Sequence, residues 1–196
     1  MKSAREYSDF LISVSNLFYH LSPDRIVFID TETTGIDSAA EVCQISIIDF
    51  DEQVLFYELI KPTQSISEKV TKIHGITDEM VADKHTISYW WRYLTGNKVL
   101  GGKIILGYNI FYDLRLLSQS MSKFDPYSYN LNIPALMVID VMQLYSFINF
   151  DCKWKKLEEA CSLENIELSS YDDHFHDAKY DTIMTCRLFK KVIGLL

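Results

Sequence analysis

The run Arg25-Ile-Val-Phe-Ile-Asp30 holds four consecutive apolar residues and ends in a carboxylate. A short, unbroken apolar run of this kind reads as a buried strand, because neither of its faces is polar enough to meet water. Two further strands are expected close behind it, over residues 41–50 and 54–60, joined by the polar turn Asp51-Glu52-Gln53 and closed by Pro62. Three strands in succession predict an antiparallel meander. Downstream the pattern changes. Two short helical segments around residues 66–73 and 77–83 lead through further helical and loop sequence to about residue 97. A fourth strand over 103–108 precedes a helix over 110–121, and a fifth over 136–139 leads into a helix over 140–147. Pro126 and Pro134 mark loop edges, and residues 177–195 form the last helix. Strands first, then strands alternating with helices, predict an α/β fold: a mixed five-stranded sheet flanked by helices.

At 196 residues and 48% hydrophobic, the chain is long enough for one substantial core without disulfides. Residues 23–196 are therefore expected to form one domain. Residues 1–22 form an N-terminal helical extension, opened by a capping box of Ser3 and Glu6 and ended by Ser22, Pro23 and Asp24. Its stripe of Phe10, Leu11, Val14, Leu17 and Phe18 suits packing on the main body or docking to a partner. Cysteines 43, 152, 161 and 186 show no zinc-finger spacing and read as reduced thiols. No run approaches the roughly 18 apolar residues of a membrane span. The N-terminus, with Arg5, Glu6 and Asp9 before an apolar stretch broken by Ser13 and Ser15, does not read as a signal peptide. A cytoplasmic location without membrane contact is expected.

Several acids sit where hydrophobic sequence carries them inward. Asp30 and Glu32 are two residues apart, so in an extended strand both side chains share one face. Asp113 is on the face of its helix that carries Leu116, Leu117 and Met121. Asp181 shares a stripe with Met184, Leu188, Val192 and Leu195 on the last helix. Both helices aim an acid inward from the same end. His176 stands just before that helix, where Asp177 suits the N-cap, and so is placed to act as a general base toward an attacking water. His174 competes for that role. His74, in a turn, is a further candidate for lining the site, and His85 reads as a surface residue.

Oxygen ligands drawn from several elements suit hard divalent cations, Mg²⁺ or Mn²⁺, better than zinc. Two such ions, with Asp30 bridging and Glu32, Asp113 and Asp181 completing the shells, fit hydrolysis of a phosphodiester. The net charge of −8 disfavours a long phosphate-neutralising track and favours a short grip on one strand end.

With their neighbours, these residues resemble the DEDDh family of 3′–5′ exonucleases, which includes the proofreading subunits and domains of bacterial replicative polymerases. The first motif reads Phe28-Ile-Asp-Thr-Glu-Thr-Thr-Gly35, the second Gly107-Tyr-Asn-Ile-Phe-Tyr-Asp113 and the third His176-Asp-Ala-Lys-Tyr-Asp181. Val70-Thr-Lys-Ile-His-Gly-Ile-Thr77 and Val138-Ile-Asp-Val-Met-Gln-Leu144 look like accessory segments of the same family.

The resemblance implies an RNase H-like fold, two divalent metals per site, and stepwise release of nucleoside 5′-monophosphates from the 3′ end of a single strand. DNA is favoured over RNA, with proofreading or repair as the setting and a DNA polymerase as partner. Thr33, Thr34 and His74 match positions that hold the terminal nucleotide in relatives. Two features depart from the pattern. Tyr108 stands where relatives often have His, and Tyr89-Trp-Trp-Arg-Tyr93 is unusually aromatic, suited to packing or to stacking bases. A catalytically silent binding module of this fold and a small-nucleotide phosphohydrolase are the competing readings.

Overall fold

The computed structural model describes Asn16 and residues 22–96, 99–124, 133–149, 153–166 and 176–194. The N-terminal helix expected over residues 3–20 lies outside these, apart from Asn16, which is helical. After a 3₁₀ turn at Pro23–Arg25 come β1 (Ile26–Thr33), β2 (Val42–Asp49) and β3 (Val54–Leu59). They pair antiparallel as a meander. Strand β4 (Ile104–Gly107) then lies parallel to β1, and β5 (Met137–Asp140) parallel to β4, giving the order β3-β2-β1-β4-β5. The mixed five-stranded sheet is thus the predicted one, with β1 at its centre.

Seven helices complete the described chain: α1 (Glu68–His74), α2 (Asp78–Val81), α3 (Ile87–Leu94), α4 (Ile110–Ser122), α5 (Val141–Ile148), α6 (Leu157–Leu163) and α7 (Ala178–Val192). The sequence reading does not include α6. Its buried Ala160 and Cys161 follow Leu157 at helical spacing, but over only seven residues that period is too short to stand out.

Alternation along β1 divides the core in two. Val27 and Ile29 face one side, where Ile87 and Leu94 of α3 and Leu116, Leu117 and Met121 of α4 pack. Ile26 and Phe28 face the other, against Val141 and Tyr145 of α5, Ala160 and Cys161 of α6, and Leu188 and Phe189 of α7. There the rings of Phe28 and Phe189 meet edge to face at 5.7 Å. A smaller cluster of Cys43, Ile66, Ile76 and Val81 lies beneath α1 and α2. The described cysteines are buried free thiols. Among the described residues, no helix is long and apolar enough to cross a membrane.

Two local features shape the C-terminal end of β1. The strand outruns its apolar run, because β2 pairs with it as far as Thr33 while its β4 partners end at Phe28 opposite Leu106. Residues 30–33 therefore project past the end of β4 and leave a notch in the sheet. At the end of β4, Gly107 lets the chain turn sharply into α4. A Cβ there would stand 2.8 Å from the Ile29 carbonyl oxygen and 2.7 Å from the Ile110 side chain.

Because the clash includes backbone, Gly107→Ala is expected to destabilise the fold by about 1–3 kcal/mol. The midpoint of chemical denaturation reads this directly, and an unchanged midpoint would contradict the close approach.

Candidate active site

The notch in the sheet is where the acids meet. Asp30 and Glu32 share the α7 face of β1, as the two-residue period requires. From α7, Asp181 reaches the same place, and one carboxylate oxygen from each of the three lies within 4.8 Å of the others. Asp113 arrives differently. Its helix packs on the opposite face of the sheet from α7. Its Oδ1 accepts from both the backbone N–H of Thr31 at 3.0 Å and the Thr31 hydroxyl at 2.7 Å. Thr31, pointing away from its neighbours Asp30 and Glu32, thus ties α4 to the projecting end of β1. All four acids and His176 line one groove of about 570 Å³.

Burial and crowding decide the electrostatics. Burial, and then the charges of Asp113, Asp181, Glu32 and Asp177, hold the Asp30 carboxyl well above the ordinary range. Glu32 is pushed up to about 9 by burial and then by Asp181, Asp177 and Asp113. Burial raises Asp181 to about 7 against a backbone hydrogen bond from His176, and Asp113 to about 7 against its Thr31 bonds. One Asp181 oxygen, Oδ1, is buried without a hydrogen-bond partner among the described residues. A buried acceptor left unpaired beside two further carboxylates is costly unless a cation meets it. The donor set is all oxygen, which fits a hard divalent ion. Asp30, Glu32 and Asp181 offer the ligands directly, with Asp113 alongside.

His176 sits exposed at the lip of the groove, in the left-handed backbone region at φ 75°. The next residue fixes it there. Asp177 caps α7 as expected, its Oδ1 accepting from the N–H groups of Lys179 and Tyr180 at 2.9 and 3.2 Å. Its other oxygen accepts from the Tyr57 hydroxyl at 2.6 Å. Gln44 completes the bracket by donating to Tyr57 and accepting from the Ala178 N–H, both at 3.1 Å. Strands β2 and β3 therefore hold the start of α7. His174 lies outside the described residues.

Thr33 ends β1, Thr34 begins the loop after it, and His74, the last residue of α1, lies alongside. The Thr33 hydroxyl donates to the Gly35 carbonyl at 2.8 Å, and Thr34 Oγ1 accepts from the Glu41 N–H and the Gln64 amide. His74 bonds the Thr33 carbonyl through Nε2 at 3.1 Å, while its Nδ1 accepts from the Ile76 N–H. Burial lowers its pKa, which favours the neutral ring these bonds need. The aromatic segment divides: Trp90 and Trp91 pack on the core, whereas Tyr89 and Tyr93 stay exposed. His85 is at the surface, stacked on Tyr89 at 3.8 Å.

One wall of the groove is absent from the sequence reading. Trp154, Lys155 and Lys156 line the same groove as the acids, with Tyr108 and Asn109. Tyr108 donates to the Lys155 carbonyl at 2.6 Å, and Ser146 to the Lys153 carbonyl at 3.0 Å, so the segment is pinned to the body. The signal available was the interleaving of an aromatic with basic residues in Lys153-Trp-Lys-Lys156. Asp140, from the second accessory segment, caps α5 and accepts from the Asn109 N–H at 3.2 Å, which steadies the turn behind the groove.

Comparison with known proteins identifies the family and the fold. Residues 27–189 match the RNase_T exonuclease family. The chain is 35% identical over 179 residues to an uncharacterized exonuclease, CP81, of Escherichia phage 186, covering 84% of this chain and 86% of that one. It is 27% identical over 182 residues to the DNA polymerase III subunit epsilon of Buchnera aphidicola, covering 85% and 69%. The fold also matches a solved structure of exonuclease X in complex with 5′ overhanging duplex DNA, with a TM-score of 0.67 at 23% identity over 86% of this chain and 91% of that one. An RNase H-like sheet with its acids gathered at the end of the central strand, matched along nearly its whole described length, places this chain in the exonuclease family.

Proposed function

We propose that the chain is a divalent-metal-dependent 3′–5′ exonuclease acting on single-stranded nucleic acid, DNA in preference to RNA, and releasing nucleoside 5′-monophosphates. The observation that carries this reading is the convergence of Asp30, Glu32, Asp113, Asp181 and His176 on one groove. Bound among these acids, two Mg²⁺ or Mn²⁺ ions supply activation of water and neutralisation of charge on the phosphodiester. The protein's own part comes from its geometry. Asp30, Glu32 and Asp181 would hold the ions, and Asp113, fixed by Thr31, would complete the set. His176, held by its capped helix, takes the proton of the attacking water. Thr33, Thr34 and His74 shape the loop against which the terminal nucleotide rests.

A groove open at Trp154 and His176 suits a strand end better than a small enclosed nucleotide. DNA is favoured because one relative is named as a DNA polymerase III subunit and the structural neighbour holds DNA. The name of the same relative supports a polymerase partner, and a cytoplasmic proofreading or repair role belongs to the proposal. Residues 23–196 form the catalytic unit on this reading, with 1–22 as an extension.

Release of nucleoside monophosphate from a 3′-labelled single strand with Mg²⁺ or Mn²⁺ tests the proposal, and inactivity on every DNA and RNA substrate would refute it. Asp30→Ala and Asp181→Ala are expected to abolish cleavage through lost metal binding, as read by calorimetric titration of the ion. His176→Ala should bind metal normally and slow turnover by about 10²–10⁴. Full activity in Asp30→Ala would remove the metal assignment.

The carboxylates also set a pH dependence. Their folded pKa values lie above the ordinary value of about 4, so the stabilising, proton-bound form is fully present below that pH. Its contribution is lost as pH rises through about 7 for Asp113 and Asp181 and about 9 for Glu32. Metal-free protein is therefore expected to melt at progressively lower temperature as pH rises from about 5 to 9. Added Mg²⁺ or Mn²⁺ should raise the melting temperature more at the alkaline end. A melting temperature insensitive to both pH and metal would count against the clustered acids.

A further inference from the structure

The wall of Trp154, Lys155 and Lys156 has chemistry that hydrolysis itself does not use. The Trp154 indole is 74% exposed, yet the backbone on either side of it is fixed by Ser146 and Tyr108. A large aromatic side chain held out in water on an anchored segment has apolar area to bury and little entropy left to lose. Two lysines come next in sequence and line the same groove as the carboxylates. In a chain of net charge −8, this is a local basic strip beside the most acidic place in the fold.

Building on the exonuclease reading, we infer that Trp154, Lys155 and Lys156 form a subsite for the single strand leading into the cleavage site, with Trp154 stacking an unpaired base and the lysines meeting backbone phosphates. Stacking on Trp154 needs the face of a base, which a paired and stacked duplex does not present. The lysines supply point charges that suit phosphate oxygens without reading sequence. Tyr108 is a positioning residue for this subsite. Its hydroxyl anchors the Lys155 carbonyl, which a phenyl ring at that place does not do. The departure from the family pattern in the second motif is thus tied to the Trp154–Lys156 segment.

Steady-state kinetics on the full chain test this, with a single strand of about ten nucleotides and a nitrophenyl ester of a mononucleotide, which has no strand to stack. In Trp154→Ala, the ratio of kcat/KM for the strand to that for the ester is expected to fall about 5- to 100-fold, mainly through KM. Trp154→Phe should recover most of the ratio, and Tyr108→Phe should lower it in the same direction. In Lys156→Gln, the slope of log kcat/KM for the strand against log salt should flatten by about 0.7.

A wild-type ratio in Trp154→Ala would overturn the subsite. So would a Phe variant no better than Ala, or an equal loss on blunt duplex and single strand. Wild-type protein inactive on both substrates would instead refute the exonuclease reading on which the subsite rests.

Discussion

The rest of the site depends on forcing like charges together at the end of one buried strand. Two unit charges 4.8 Å apart repel by roughly 3 kcal/mol at an effective dielectric of about 20, and solvent at the partly open side chains reduces this further. Just upstream on the same strand, Ile26, Val27, Phe28 and Ile29 are each almost completely buried. At about 1.5–3 kcal/mol per side chain, their burial exceeds the repulsion of a single pair. The hydrophobic run thus holds Asp30 and Glu32 where they would not otherwise stay. Repulsion is relieved locally by proton uptake or by a cation, which is why this patch of the protein is expected to answer to both pH and metal.

Sheet topology gives that patch its shape. Because the β1–β4 ladder stops at the Phe28–Leu106 pair, one side of β1 is left without a strand partner just where the acids begin. The Thr31 N–H that faces this gap is taken up by Asp113 rather than by a neighbouring strand. A side chain from a helix on one face therefore substitutes for a missing β ladder, and the same bond positions it among acids carried by the other face. Gly107 makes this geometry possible by bringing the start of α4 against the Ile29 carbonyl. The end of parallel strands, where a crossover separates neighbours, is a general place for ligands in α/β sheets.

What was legible in the sequence came from local period. Asp30 and Glu32 share a face because strands repeat every two residues, and Asp177 caps α7 because a short acid before an apolar helix does so. What was not legible depends on tertiary contact. Helical spacing places Asp113 and Asp181 on buried faces but does not say that those faces lie on opposite sides of the sheet. The buried surface of α7 is wider than a single stripe, taking in Thr182, Thr185 and Phe189, because the helix is covered by the sheet on one side and by α5 and α6 on the other. Motif resemblance pointed to Thr33, Thr34 and His74, yet their bonds within the loop become visible only once Gln64, Glu41 and Ile76 are brought alongside. Tyr57 and Gln44, far from the motifs in sequence, carried no local mark of their hold on Asp177.

The acidic character of the chain bears on how it engages a strand. Each phosphate neutralised by a cationic side chain releases counterions and adds salt-sensitive affinity, so a protein with few such groups in its groove gains little from strand length. Among the described lining residues, Lys155 and Lys156 are the basic side chains apart from His176. On the proposed reading, grip comes from contacts that do not multiply along the backbone: an aromatic face for one base, and the acid cluster, with the ions it would hold, for one terminus. Such contacts favour an end over an interior position, since an interior segment passing the groove has no terminus to offer the acids. The distribution of charge, negative overall with a narrow basic wall, thus favours end-directed cleavage by the same physical logic that places the metal site at the end of β1.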